Sequence, residues 1–101
     1  LHGEAVACGM VLAGELSVAL GSWPAAESRR LRGLIERAGL PVRAPAMALE
    51  RWFELMRVDK KAEGGEIRFV VIEATGRAAV RAAPDALVRQ VIEQHSATED
   101  R

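Results

Sequence analysis

Candidates for chemistry in this sequence reduce to His2, Glu4, Cys8, Lys60, Lys61 and His95. A catalytic zinc takes about three protein ligands from His, Cys, Asp or Glu, and this set does not assemble one on its own. His2 and Glu4, two apart on a helix, point in different directions. Cys8 lies roughly 600° around the same helix from His2, and His95 falls in a polar tail. A metal bound by His2 would therefore draw its remaining ligands from elsewhere. On spacing alone each position also has a structural reading. His2 is then a histidine at a frayed helix end, Glu4 a carboxylate favouring the positive end of the helix dipole, and Lys60 and Lys61 solvated cations at the negative end of another helix. Cys8 is a small buried hydrophobe. The sequence holds no GxxxxGK(S/T), no GxGxxG after a strand, no HExxH and no GxSxG, so the self-contained catalytic motifs are absent.

The elements that would position these groups follow from the hydrophobic pattern. From Ala5 to Leu20 nearly every residue is small or aliphatic, and Glu15 is the only charge. A helix apolar on every side is a buried one. The unbroken apolar run stops at Glu15, short of the ~20 residues of a membrane span, and no basic residue precedes it as in a signal peptide. Gly3, Gly9 and Gly14 each cost about 1 kcal/mol relative to Ala in such a helix, which predicts close backbone packing along it. This helix needs more cover than the rest of a small domain supplies, so part of its partner surface is expected to lie elsewhere. Gly21-Ser22-Trp23-Pro24 breaks the pattern and Pro24 opens a second helix, ended by Gly39 and Pro41. Leu31, Leu34, Ile35 and Ala38 face inward on it, with Glu27, Arg29, Arg30, Arg32, Glu36 and Arg37 on the opposite face.

Leu49, Trp52, Phe53 and Met56 mark a third helix ending near Asp59-Lys60-Lys61. Glu63-Gly64-Gly65 is a turn, and Ile67 to Ile72, Thr75-Gly76 and Ala78 to Val80 read as a β-hairpin. Pro84 opens a last helix with Leu87, Val88, Val91 and Ile92 inward, and Ser96 to Arg101 is a polar, frayed end. The predicted fold class is mainly α, about four helices with one small β-hairpin.

Composition narrows the function classes. Fourteen basic and fourteen acidic side chains cancel in a chain of 101 residues, and the pI is near 7.0. That leaves no basic field for phosphate backbones or anionic lipid, so neither nucleic acid nor a membrane is an expected partner. One cysteine forms neither an internal disulfide nor a Cys-based zinc cluster, which fits a reducing, cytoplasmic setting. The chain opens on Leu1 inside an apolar pattern with no polar lead-in, and reads as a piece of a longer polypeptide.

The segment Leu1-His2-Gly3-Glu4-Ala5-Val6-Ala7-Cys8-Gly9-Met10 resembles the LHGEAVAxGM signature of the 3-dehydroquinate synthases, which act second in the shikimate pathway. The likeness continues through Glu36-Arg37-Ala38-Gly39-Leu40-Pro41-Val42, Leu55-Met56-Arg57-Val58-Asp59-Lys60-Lys61 and Ile67-Arg68-Phe69-Val70-Val71-Ile72, with Gly76 and the terminal helix in the expected order. It spans nearly the whole chain. The resemblance implies that residues 1–101 are a fragment of the family's helical C-terminal domain, which binds metal and substrate, without the N-terminal NAD-binding domain.

By the same resemblance, His2 matches one of three metal ligands, the others being an upstream glutamate and a second histidine. Lys60 matches a lysine that contacts substrate in the cleft between the domains, and Lys61 replaces it if the register slips by one. Gly3 and Glu4 are structural members of the motif, and Cys8 stands where the family usually has an aliphatic residue. The implied reaction is a carbon–oxygen lyase cyclisation of 3-deoxy-D-arabino-heptulosonate 7-phosphate to 3-dehydroquinate with loss of phosphate. It serves aromatic amino acid biosynthesis, with NAD and a divalent metal, zinc or cobalt, as cofactors. The implied partners are a small sugar acid phosphate and a second subunit in a homodimer, and the chain alone is expected to be inactive. Three alternatives stay open. One is another sugar-phosphate cyclase, such as a 2-epi-5-epi-valiolone or aminodehydroquinate synthase. Another is a glycerol dehydrogenase-like enzyme, disfavoured by the longer signature and Asp59-Lys60-Lys61. The last is a non-catalytic helical interaction module that self-associates through exposed apolar faces.

Overall fold

The computed structural model describes residues 2–44, 50–54 and 67–96. Helix α1 (His2–Ala19) is followed by α2 (Ala25–Arg37), a helical stretch α3 described over 50–54, strands β1 (Phe69–Ala74) and β2 (Arg77–Arg81), and helix α4 (Asp85–Gln94). The mainly helical class with one hairpin is the architecture found. Residues Leu49, Met56 and Glu63-Gly64-Gly65, used above for the third helix and the turn after it, lie outside the described residues.

Local chemistry sets the boundaries. Past the last turn of α1, Gly21 takes a φ of 81°. The Gly21 N–H then bonds the Val18 carbonyl and the Ser22 N–H bonds the Ser17 carbonyl, both at 2.9 Å. Helix α2 ends the same way, with Gly39 at φ 81° and the Leu40 N–H on the Ile35 carbonyl. A left-handed residue at this position satisfies carbonyls that the helix leaves open. Both α2 and α4 start behind an extended proline, Pro24 and Pro84, whose carbonyl accepts the N–H groups three and four residues on. Proline has no N–H to lose there.

Strands β1 and β2 form an antiparallel pair, Phe69 opposite Arg81 through Ile72 opposite Ala78, with an irregularity between Ile72 and Ala74. A lone two-stranded hairpin is marginal in water, and this one is fastened to α1. The fully buried Ser17 hydroxyl donates to the Ala13 carbonyl at 2.7 Å and accepts the Ile72 N–H at 2.8 Å. The Ser22 hydroxyl donates to the Ile72 carbonyl at 2.9 Å. The main core then joins Leu16 of α1, Phe53 of α3, Val71 of β1 and Val88, Val91 and Ile92 of α4. The Arg89 guanidinium covers the Phe53 ring, 4.6 Å from its centre. A smaller cluster joins Ala7 and Val11 of α1 to Ile35 of α2.

Helix α1 is not shielded along its whole length, in line with a helix that needs more cover than a small domain supplies: Val6 is 44% and Met10 42% exposed. The hairpin and α4 reach the Leu16 end of the helix and not its first turns. Two expectations need correction. Leu34 and Ala38 do not face inward: Leu34 is 59% exposed and Ala38 is exposed at the end of the helix, because the apolar contact of α2 with α1 runs through Leu31 and Ile35. Of the three glycines, only Gly14 marks a close approach: a Cβ there would sit 3.1 Å from Ser28 Oγ and 3.3 Å from Trp23 Cζ3, whereas Gly3 and Gly9 would meet nothing within 4 Å.

Two stability measurements follow from this packing. Gly9→Ala should raise the urea midpoint through helix propensity, by up to about 1 kcal/mol. Gly14→Ala should give no gain, because crowding of about 1–3 kcal/mol offsets it; equal gains at both would refute the close approach. Ser17→Ala leaves the Ile72 N–H without its acceptor and should cost about 1–3 kcal/mol by the same assay.

Candidate functional site

His2 opens α1 with its side chain exposed, and Glu4 lies exposed in the same first turn. The helix that carries them is held from one side. Ala7 and Val11 pack on Ile35, and the Cys8 thiol points at main-chain carbonyls of the segment after α2, 3.3 Å from Arg43 O and 3.9 Å from Pro41 O. Cys8 is thus the small buried group expected of it, with its weak S–H donor directed at an acceptor. On the other side, His2, Val6, Gly9 and Ala13 recur at the spacing of one helical stripe, and the first three are exposed. This stripe runs toward an apolar cavity of about 290 Å³ whose walls include Leu12 and Leu16 of α1, Phe69 of β1 and Val91 of α4. His2 therefore stands at the head of an open strip on a braced helix.

Among the described residues no three His, Cys, Asp or Glu side chains gather as a metal-binding group. An accessible imidazole at a helix end fits one ligand of a set, and the described donors do not supply the others. Lys60 and Lys61 lie outside the described residues.

The described residues do converge in a polar cluster that sequence reading missed. Glu15 Oε2 accepts the Ser28 hydroxyl at 2.7 Å and lies 3.6 Å from Arg32 Nη2. Glu15 Oε1 is 3.3 Å from His95 Nε2, and Arg32 Nη2 is 2.9 Å from His95 Nδ1. His95, placed above in a polar tail, caps α4 with a side chain only 14% exposed. Arg32, placed above on a charged outer face, turns inward to meet it because a carboxylate largely withdrawn from water needs a cation and hydrogen bonds. Burial above all, with the Arg32 and Arg43 guanidinia, holds the His95 pKa below its ordinary 6.5, while the Glu15 charge opposes them. The signal that could have found this cluster was Glu15 itself, the only charge in the apolar run from Ala5 to Leu20.

Trp23 and Phe53 pack as core residues, 9% and 1% exposed. No helix among the described residues is long and apolar enough to cross a membrane.

Comparison with known proteins places this geometry in context. Residues 1–62 match the family model described as 3-dehydroquinate synthase C-terminal. Over 94 residues the chain is 54% identical to the proteins named 3-dehydroquinate synthase from Bordetella pertussis, Bordetella parapertussis and Bordetella bronchiseptica. Each match covers 93% of this chain and 26% of the relative. The chain thus spans about a quarter of the length of the curated relatives it matches.

Proposed function

Because this chain belongs to the 3-dehydroquinate synthase family, we propose that it is the C-terminal, metal- and substrate-binding part of such an enzyme. The reaction is the conversion of 3-deoxy-D-arabino-heptulosonate 7-phosphate to 3-dehydroquinate with loss of phosphate. The observation that carries the reading is the coincidence of the family signature with an accessible His2 at the braced N-terminal end of α1.

Zinc or cobalt, when bound, supplies Lewis-acid polarisation of substrate hydroxyls, and NAD supplies reversible hydride acceptance. His2 contributes one neutral imidazole nitrogen as a metal ligand. Its orientation is fixed by the helix, which Ala7, Cys8 and Val11 hold against α2 and the segment after it. Lys60 contributes a compact positive charge suited to the substrate's carboxylate or phosphate, and Lys61 takes that role if Lys60 does not. Glu4 shapes the first turn of α1, where a carboxylate favours the positive end of the helix. The remaining metal ligands and the NAD site are assigned to other parts of the enzyme.

The test is made on the complete parent enzyme. His2→Ala should remove bound divalent metal, measured by elemental analysis. It should also lower phosphate release from the heptulosonate phosphate by more than the roughly 10–100-fold that losing a partner behind a metal ligand costs. A variant with wild-type metal content and rate would take His2 out of the site.

A further inference from the structure

The proposed function makes no use of the partly buried polar cluster in which α1, α2, the segment after α2 and the end of α4 meet. Its heavy atoms fix its hydrogens. Arginine carries donors only, so His95 Nδ1, 2.9 Å from Arg32 Nη2, acts as an acceptor and bears no hydrogen. The ring is therefore neutral, with its hydrogen on Nε2 and directed at Glu15 Oε1, 3.3 Å away. We propose that the Arg32–His95–Glu15 relay is a proton-sensitive latch: it holds the end of α4 on α1 and α2 while His95 is neutral, and releases that end when the ring takes up a proton.

The release follows from the donor count. A proton added from solvent must go to Nδ1, the only ring nitrogen with a free lone pair, and it places an N–H against the Arg32 N–H. The hydrogen bond becomes a repulsion between like charges. The charged groups acting on the ring among the described residues are Glu15 of α1, Arg32 of α2 and Arg43 of the segment after it. Protonation thus sets a positive ring directly against Arg32 and within the field of Arg43, with the Glu15 carboxylate alone to offset them. The chain segments attached to this point are released with it. The His95 carbonyl accepts the Ala44 N–H at 2.9 Å, Ala44 and Ser96 form a parallel bridge, and Arg43 Nη2 donates to the Ser96 carbonyl at 2.6 Å. The Ser28 hydroxyl donates to Glu15 Oε2 at 2.7 Å without involving the ring, so the proposed opening is on the α4 side.

The sign of the pH dependence is set by linkage. A histidine whose folded pKa is lowered contributes stability that is complete above the unfolded value near 6.5 and is lost as pH falls from there toward the folded value.

The experiment is nuclear magnetic resonance on the full chain between about pH 7.5 and about pH 5, the range in which histidine charges. Long-range proton–nitrogen spectra should show His95 as the Nε2–H tautomer at the upper end. Protection of the Ala44 amide against exchange, corrected for intrinsic rates, should fall several-fold toward the lower end. In His95→Asn, whose side-chain oxygen takes the place of Nδ1 without titrating, that protection should stay constant across the range. An Nδ1–H tautomer at the upper pH would overturn the latch, and so would an equal fall of protection in His95→Asn.

Discussion

An apolar helix carrying a carboxylate among its packed turns imposes two demands on its neighbours: its sides must be shielded from water, and that charge must be given cations and hydrogen bonds. Helix α1 imposes both, and the arrangement of the other elements answers them. The hairpin and α4 cover the Leu16 face, α2 covers Ala7 and Val11, and Ser28, Arg32 and His95 surround Glu15. The answers are linked through Gly14. Without a side chain there, α2 comes close enough for the Ser28 hydroxyl to reach the carboxylate one residue further along α1. Ser17 couples the same helix to β1, using a hydroxyl that would be costly to bury without the Ile72 N–H it accepts.

The cover is uneven, and the unevenness bears on function. Where α1 is surrounded, its polar groups serve the fold. At the other end, His2, Val6 and Gly9 form an exposed strip on a helix still braced from behind. A ligand residue works best when its backbone is rigid and its side chain accessible, and the first turn of α1 provides that combination. The family signature falls on this turn, and the polar cluster around Glu15 lies further along the helix, past the point where the cover begins.

Much of the fold was legible because its punctuation is local. Pro24 and Pro84 open helices, Gly21 and Gly39 close them, and Gly76 at φ 89° serves the hairpin turn, all through restrictions that a single residue carries. The inward residues of α4 were readable from their spacing, Val88, Val91 and Ile92 being buried. What escaped was the width of each interface. Periodicity marked Leu34 as inward, yet the contact of α2 with α1 is too narrow to include it. Nor does periodicity say which charges on an outer face turn back. Arg32 and His95, sixty-three positions apart, meet only because the middle of α2 and the end of α4 flank Glu15. His2 was legible in the signature and not in any spacing, since among the described residues no other His, Cys, Asp or Glu side chains join it in a metal-binding group.

The most direct test of the central claim is anomalous diffraction at the metal edge from crystals of the complete parent enzyme. The account predicts a metal with an imidazole nitrogen of His2 at about 2.0–2.1 Å, the zinc–nitrogen bond length. A metal bound in the enzyme with no atom of His2 in its coordination shell would contradict it.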